Sequence, residues 1–546
     1  MEDRKRTIRI DSILGGHSPL EYFAGADQFQ DSLAIDPSLN SDDIDNSGPA
    51  SGLLRPTYAK TISGTQLQAA PLWQVANPKQ GSVFVYAYNG SVYAHGYSPL
   101  QFAEVGDLTD GGSAKGNGAE YYDNYVYFSR DTTIARFGPL NGSPAFTDDY
   151  WVSTLSKTAL GNPTYPIDDW TAISYPSHIM HRHSDGRLYI LDVVDNKGTI
   201  HFIQTTKTSV EGDTDNGSTY NKLQVGYGLW PSAIASYGTG LAIAFFEYEE
   251  TTGSSNPEQR AKIAFWDTTS QNVNHITWVE FPDSLVSAIR NVNGTLYLFS
   301  GAGINYGTRV TRYVGGSTFE EVGYFEALRT PFPDAVDGEA SRLMFGTFGG
   351  YNITDGYSVS GVYSIGLQKG SLGRGFFMTG QVSSLLANPM VTSIIREEWD
   401  SSLALNQPYI GWSNGGSGST RNNIDEPYAR GDGNKSIWWS QRYRIGQPFK
   451  ITKIRIPLAM AISSGMSVIP RIYFDSDRTL SGTQTTSAGT VLTTIDNTNY
   501  PSAKSVTLRP ENAVGKHSFF LELDWDGTAL LTVGLPITIE YELLDD

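Results

Sequence analysis

Val83-Phe-Val-Tyr-Ala-Tyr88, Asn89-Gly90, Ser91-Val-Tyr-Ala94 is the stretch on which the fold turns. It reads as a β-branched and aromatic strand, a two-residue turn, and a second strand of the same texture. Asn-Gly supplies the two positive-φ positions of a type I′ hairpin, so the pair predicts antiparallel strands joined tightly.

The same unit recurs outward from this hairpin. Tyr125-Val-Tyr-Phe128 is followed by Thr133-Ile-Ala-Arg-Phe137. Leu188-Tyr-Ile-Leu-Asp192 turns at Asp195-Asn196-Lys197-Gly198 into Thr199-Ile-His-Phe202. Leu241 to Phe246 leads to Ala261-Lys-Ile-Ala-Phe-Trp266, and Leu296-Tyr-Leu-Phe299 follows Asn293-Gly294 and leads to Thr308-Arg-Val-Thr-Arg-Tyr313. Leu343-Met-Phe345 goes with Gly361-Val-Tyr-Ser-Ile365, and a seventh, weaker unit pairs Leu403-Ala-Leu405 with Ile437-Trp-Trp-Ser440. The seven anchors recur about every 53 residues, near the roughly 40–50 expected of a four-stranded propeller blade with its loops. One hairpin buries one face, whereas blades packed around an axis bury both. A sandwich with many hairpins requires no such period. The expectation is an all-β chain with a β-propeller of about seven blades over residues 61–446.

Residues 447–546 break the period. Ile454, Ile456 and Leu458 alternate with Lys453, Arg455 and Pro457; Phe519, Leu521, Leu523 and Trp525 alternate with Phe520, Glu522 and Asp524. Ile537, Ile539 and Tyr541 alternate with Thr538 and Glu540. Strict alternation places one face in a core and one in water. About 100 such residues predict a C-terminal β-sandwich.

Residues 1–60 carry Gly15-Gly16, Pro19, Pro37, Asp45-Asn46-Ser47-Gly48-Pro49 and no strand period. They predict an extended assembly arm that orders only against a partner. Its anchors are expected to be Ile8, Ile10, Leu14, Leu20, Tyr22, Phe23 and Phe29, with Arg4, Lys5, Arg6 and Arg9 meeting acidic groups across the contact.

The totals exclude several functions. With no cysteine among 546 residues, disulfide scaffolds, thiolate metal sites and cysteine nucleophiles are ruled out. The net charge of −18 argues against a phosphate-gripping groove, though an acidic wall lets nucleic acid pass without holding it. No signal-peptide pattern follows Met1, and the apolar run Leu241 to Phe246 is far short of the roughly 20 residues that span a bilayer. Synthesis in the cytoplasm without membrane insertion is the expectation.

Candidate chemistry is sparse. His178, His181 and His183, with His201 on the partner strand, have spacing that could hold zinc, but no carboxylate or cysteine completes the set. Ser184-Asp185-Gly186 reads as a turn. Asp213-Thr-Asp-Asn-Gly217 and Asp475-Ser-Asp477 are calcium-loop fragments without the closing bidentate Glu. Trp412, Trp438 and Trp439 are candidates for sugar stacking or for core. Gly415-Gly416-Ser417-Gly418 reads as a flexible loop, and no nucleophile elbow, Walker loop or dinucleotide fingerprint is present. No catalytic, cofactor or metal residue is therefore expected.

Two stretches resemble phage virion proteins. Gly15-Gly16, Ser18-Pro19, Gln28, Gln30 and Gly52-Leu53-Leu54-Arg55-Pro56 are similar to the opening of the nozzle (tubular tail) proteins of short-tailed phages, departing from it at His17, at Pro19, in a longer acidic insert and in Arg55 directly after Leu54. Ile451 to Ile456, Val468 to Phe474, Gly515 to Leu523 and Ile537 to Tyr541 resemble a sandwich module that ends many phage tail proteins. The resemblance implies a virion location and a ring of identical subunits, joined to other tail or portal-adaptor proteins, around a channel through which DNA leaves the capsid. It supplies no catalytic residues. The alternatives are a host-recognition propeller binding a cell-surface glycan, and a carbohydrate-active propeller enzyme with paired carboxylates at its axial mouth.

Overall fold

The computed structural model describes residues 4–545 except 12–15, 18–27, 34, 37–53, 57–59, 62–66, 78–81, 98–99, 109–117, 131–132, 152–178, 195, 205–222, 250–253, 256–259, 271, 302–307, 326–329, 340–341, 347–360, 367–375, 381–389, 397–407, 414–421, 427–435, 476–488, 528 and 530. Seven antiparallel sheets follow one another along the chain as blades, each of four strands, the fourth sheet carrying in addition the short strand Ser254–Ser255. Their first strands are Pro71–Asn77, Ala119–Tyr122, Met180–Arg182, Leu229–Tyr237, Leu285–Val292, Val336–Glu339 and Met390–Arg396. Each touches the next, and the seventh touches the first, so the ring is closed.

The expected hairpins form the middle of the blades. Ser82–Ala87 pairs with Ser91–Tyr97, and Thr295–Gly301 with Thr308–Gly315. The turns differ from one another. Asn293 and Gly294 take φ of 52° and 81°, the two left-handed positions of a type I′ turn between Leu285–Val292 and Thr295–Gly301. At the first hairpin the type I′ expectation is corrected: only Gly90 has positive φ, 94°, and its N–H donates to the Ala87 carbonyl. Three loop residues there require a type I turn ended by one left-handed residue.

The seventh blade is also corrected. Its hairpin is Pro408–Ser413 with Asn422–Glu426, and its fourth strand is Lys60–Thr61, which comes from the other end of the propeller sequence. Leu403 to Leu405 lie outside the described residues. A polar seam joins this blade to the first: Thr392 Oγ1 and Ser393 Oγ donate to the Pro71 carbonyl at 2.8 and 2.6 Å. Gln74 Nε2 donates to Ser393 Oγ and to the Tyr409 carbonyl. Closing the last blade with an early strand ties the ring by backbone hydrogen bonds and removes an open gap between first and last blades.

Ser436–Ser440, which contains Ile437 to Ser440 of the expected seventh unit, instead pairs with Ser518–Trp525 in the sandwich. One sandwich sheet runs Lys5–Ile10, Ile537–Leu543, Phe449–Pro457, Ser505–Leu508. The other has Gly16–His17, Gln28–Leu33, Ser436–Ser440, Ser518–Trp525, Ser467–Phe474 and Thr490–Val491 as its main path. The core between them holds Ile10, Leu54, Phe449, Ile454, Ile456, Phe519, Leu521, Leu523, Trp525, Ile537 and Ile539. The inward face is the one the alternation predicts. The sandwich nevertheless draws strands from both ends of the chain, with the propeller inserted between them.

The outward face of Ser518–Trp525 is not in water as expected. Phe520, Glu522 and Asp524 are buried. Phe520 stacks on Tyr473 at 4.6 Å, in a cluster with Ile437 and Trp439 against which Tyr363 of the sixth blade packs. Glu522 accepts from Trp439 Nε1 at 2.7 Å and Tyr473 OH at 2.9 Å, while Arg471 reaches both Glu522 and Asp524 at 2.6 and 2.8 Å. A charged face can be covered only when each charge is paired and hydrogen-bonded, and that is its condition here.

Candidate functional site

The seven first strands enclose a cavity of about 450 Å³ on the propeller axis. Small and aliphatic side chains make most of the cavity lining, because a narrow axis leaves little room. Against that background stand Glu120, His181, Arg290, Asp334 and Asp337, drawn from four blades and the segment leading into the sixth.

Arg290 is fixed by three carbonyls: Nε donates to Val336 at 2.7 Å, Nη1 to Ile289 at 3.1 Å and Nη2 to Pro333 at 3.3 Å. Its Nη2 lies 4.0 Å from Asp334 Oδ1. Asp334 Oδ2 accepts the Gln74 backbone N–H at 2.8 Å. Burial nevertheless holds the Asp334 carboxyl well above the usual carboxylate range, against the opposing pull of Arg290. Burial likewise pushes Glu120 up to about 7, although the Tyr121 N–H donates to its Oε1. His181 is pushed down to about 3, first by burial and then by Arg290 and His183. Carboxyls whose hold on a proton is strengthened, beside an imidazole whose hold is weakened, make this site able to bind polar groups and, at Glu120, to exchange a proton near neutrality.

None of these residues was singled out from sequence as an axial set except His181, and that for a different reason. The available signal was a charge in an otherwise apolar inner strand, as at Glu120 and Arg290. Which strand of each blade faces the axis is a tertiary fact.

The histidines do not gather around a metal. His181 and His183 share Ser236 Oγ at 2.8 and 2.7 Å, and His201 faces Asp192 at 3.2 Å. His178 lies outside the described residues. Among the described residues no group of three or more His, Asp or Glu is placed to hold a metal. Asp475 anchors a turn rather than a cation: its carboxylate accepts the N–H groups of Lys516, His517 and Ser518 at 2.5 to 2.7 Å. Asp185 does the same for Arg187 N–H and Tyr189 OH, as a turn residue should. Asp213 to Gly217 and Gly415 to Gly418 fall outside the described residues. Trp412, Trp438 and Trp439 are buried, which makes them core and not sugar platforms.

The arm expectation is corrected at its start. Lys5–Ile10 is not an extended segment awaiting a neighbour; it pairs antiparallel with Ile537–Leu543 of the same chain. Ile10 is buried in the sandwich core and Ile8 packs against it. Arg4 does meet an acidic group, Asp545 at 2.6 Å, at the chain's own C-terminal end. Arg6 is exposed beside that pairing. Six residues with two inward isoleucines are too short a run to show strand period, so the complement had to come from elsewhere in the fold. The backbone of Phe29 lies in Gln28–Leu33, paired with Ser440. Leu14, Leu20, Tyr22 and Phe23 lie outside the described residues.

No family model matches the chain, and no curated protein matches it. Among solved structures it is similar to a catalytically inactive virginiamycin B lyase from Staphylococcus aureus with quinupristin, at 12% identity over 68% of this chain and 99% of that one, TM-score 0.42. It is similar to the β-propeller domain of Cps50 (Swd1) from Myceliophteria thermophila, at 10% identity over 67% and 99%, TM-score 0.41. A third likeness is the extracellular domain of a putative one component system from B. thetaiotaomicron, at 10% identity over 75% of this chain and 44% of that one, TM-score 0.38. These are likenesses of fold and carry no activity with them. By its own seven sheets, closed in a ring, the chain is an all-β propeller protein with a β-sandwich built from both its ends.

Proposed function

We propose that this chain is a structural subunit of a bacteriophage tail, nozzle-like or adaptor-like, that works by assembling with identical copies into a ring around the DNA exit channel. It acts without catalysis. The observation that carries the reading is the weave of the two chain ends into one sandwich. It fixes the propeller between paired termini and packs the aromatic cluster of Trp439, Tyr473 and Phe520 on one sandwich sheet against Tyr363 of the sixth blade. Such a subunit transmits position from one end of an assembly to the other with little internal freedom.

The axial cavity is not the DNA path. Its 450 Å³ is the liquid volume of about 15 waters at ~30 Å³ each. A duplex whose major groove alone is about 12 Å wide does not enter it. A channel must therefore lie between subunits, with the acidic surface letting DNA slide. The chain belongs, on this reading, to the virion, and contacts other tail or portal-adaptor proteins. Locating it by electron cryomicroscopy in the intact particle tests the proposal. Density for a ring of propellers about the tail axis is expected, and absence of the chain from purified particles would overturn it.

The axial carboxyls favour a second reading. The paired acids required of a carbohydrate-active propeller are present as groups, with Glu120 poised near 7. Release of reducing sugar from host surface glycans, lost in Glu120→Gln, would replace the structural reading; no release in the wild type removes the enzymatic one.

A further inference from the structure

The axial cavity holds more hydrogen-bond acceptors than donors. All three nitrogen positions of Arg290 donate to backbone carbonyls. Gln74 Nε2 uses its two hydrogens on Ser393 Oγ and the Tyr409 carbonyl. Asn291 Nδ2 donates to the Ser236 carbonyl at 2.8 Å.

The histidine pair extends the pattern, with tautomers assigned from the hydrogen-bond network. His183 Nε2 faces the Thr239 carbonyl at 3.2 Å, an acceptor only, so this nitrogen carries the hydrogen in a neutral ring. Its Nδ1 is then an acceptor and takes the Ser236 hydroxyl hydrogen at 2.7 Å. Ser236 Oγ, having donated, accepts from His181 Nε2 at 2.8 Å. The neutral His181 ring is thereby left with a bare lone pair at Nδ1 on the cavity wall.

Other acceptors stand with it. Gln74 is 5% exposed and lines the cavity, and its Oε1 has no hydrogen-bond partner. A buried acceptor without a partner calls for one. Glu120, Asp334 and Asp337 add three carboxyls, each with several lone-pair sites, against a single guanidinium that has three of its five hydrogens on backbone carbonyls. The volume, about 450 Å³, falls within the ~300–1,000 Å³ of small-molecule sites. Ile179, Ile234 and Ile289 supply an apolar wall beside the polar groups.

We propose that the axial cavity binds a small organic cation bearing a primary ammonium group, with its N–H donors on the open acceptors and its alkyl part on the aliphatic wall. The site is independent of whether the subunit assembles in a tail.

Isothermal titration calorimetry on the full chain at constant ionic strength tests this with four probes. Butylammonium carries charge and N–H donors, butanol lacks the charge, tetramethylammonium lacks the donors, and magnesium lacks the alkyl part. Saturable binding of one butylammonium per chain is expected, at least tenfold tighter than butanol or tetramethylammonium. Glu120→Gln should weaken it by a further tenfold or more. Equal binding of butanol would reassign the cavity to polyols, and equal binding of tetramethylammonium would remove the donor argument. Displacement of butylammonium by magnesium would make it a metal site, and absence of binding by all four overturns the proposal. If the variant misfolds, the four probes on the wild type decide alone.

Discussion

Replacing Glu120 by Gln should stabilise the free protein at neutral and alkaline pH while leaving it unchanged in acid. The carboxyl is raised from its ordinary 4.5 to about 7, burial being the main cause. Between those values the folded protein holds a proton that the unfolded chain has lost, so stability falls as pH rises through this window. At about 1.36 kcal/mol per unit the full loss is about 3.4 kcal/mol, and water reaching the cavity reduces it to about 1–3 kcal/mol. Gln has the same shape and keeps an oxygen for the Tyr121 N–H, but carries no charge to desolvate. Asp334 has the same sign of shift and remains in both proteins, and because the Glu120 charge is one cause of that shift, the difference between wild type and variant reads Glu120 together with its coupling to Asp334. The assay is urea unfolding followed by intrinsic fluorescence, comparing midpoints at pH 4 and pH 8. The two proteins should coincide at pH 4, and the variant should gain about 1–3 kcal/mol at pH 8. A gain of equal size at both values, or a variant weaker at pH 8, would refute the desolvation argument.

Glu522→Ala leaves Arg471, Trp439 and Tyr473 short of their shared acceptor beneath the sixth blade, and should cost about 3–5 kcal/mol, read as a lowered melting midpoint. Deleting residues 2–11 strips an edge strand and Ile10 from the sandwich, so the sandwich should melt earlier by about 1.5–3 kcal/mol from the isoleucine alone. The propeller should stay folded, because its closing strand Lys60–Thr61 is retained; hydrogen exchange resolved by region separates the two domains. Gly294→Ala forces a side chain into φ of 81° in open space, and should cost about 1–2 kcal/mol in thermal melts without altering the assembled fold.

Strand texture, turn residues and period were all local, and they determined the class, the propeller and the hairpins of six of its seven blades. Tyr125 to Phe128 and Leu296 to Phe299 could be placed as strands because β-branched and aromatic runs bounded by Asn-Gly or Asp-Asn have one good local solution. The inward face of the sandwich was equally legible, since Phe519, Leu521, Leu523 and Trp525 alternate without a break.

What remained hidden depended on partners far away in the chain. Lys60–Thr61 has no strand signal of its own, and only the gap left by a three-stranded seventh blade gives it a place. Trp438 and Trp439 read equally well as the last hairpin of the propeller, until Ser518–Trp525 supplies the backbone that pairs with them. The alternation of Glu522 and Asp524 promised solvent, yet both are buried, because Arg471 from a neighbouring strand pairs with the two of them and Trp439 and Tyr473 donate to Glu522. The axial site is the plainest case. Glu120, His181, Arg290 and Asp334 lie up to 214 residues apart, and no local rule relates them. Sequence determines which segments become strands, since that is settled by dihedral preference and side-chain period. Ring closure alone decides which strand faces the axis, and so which charges are forced together out of water.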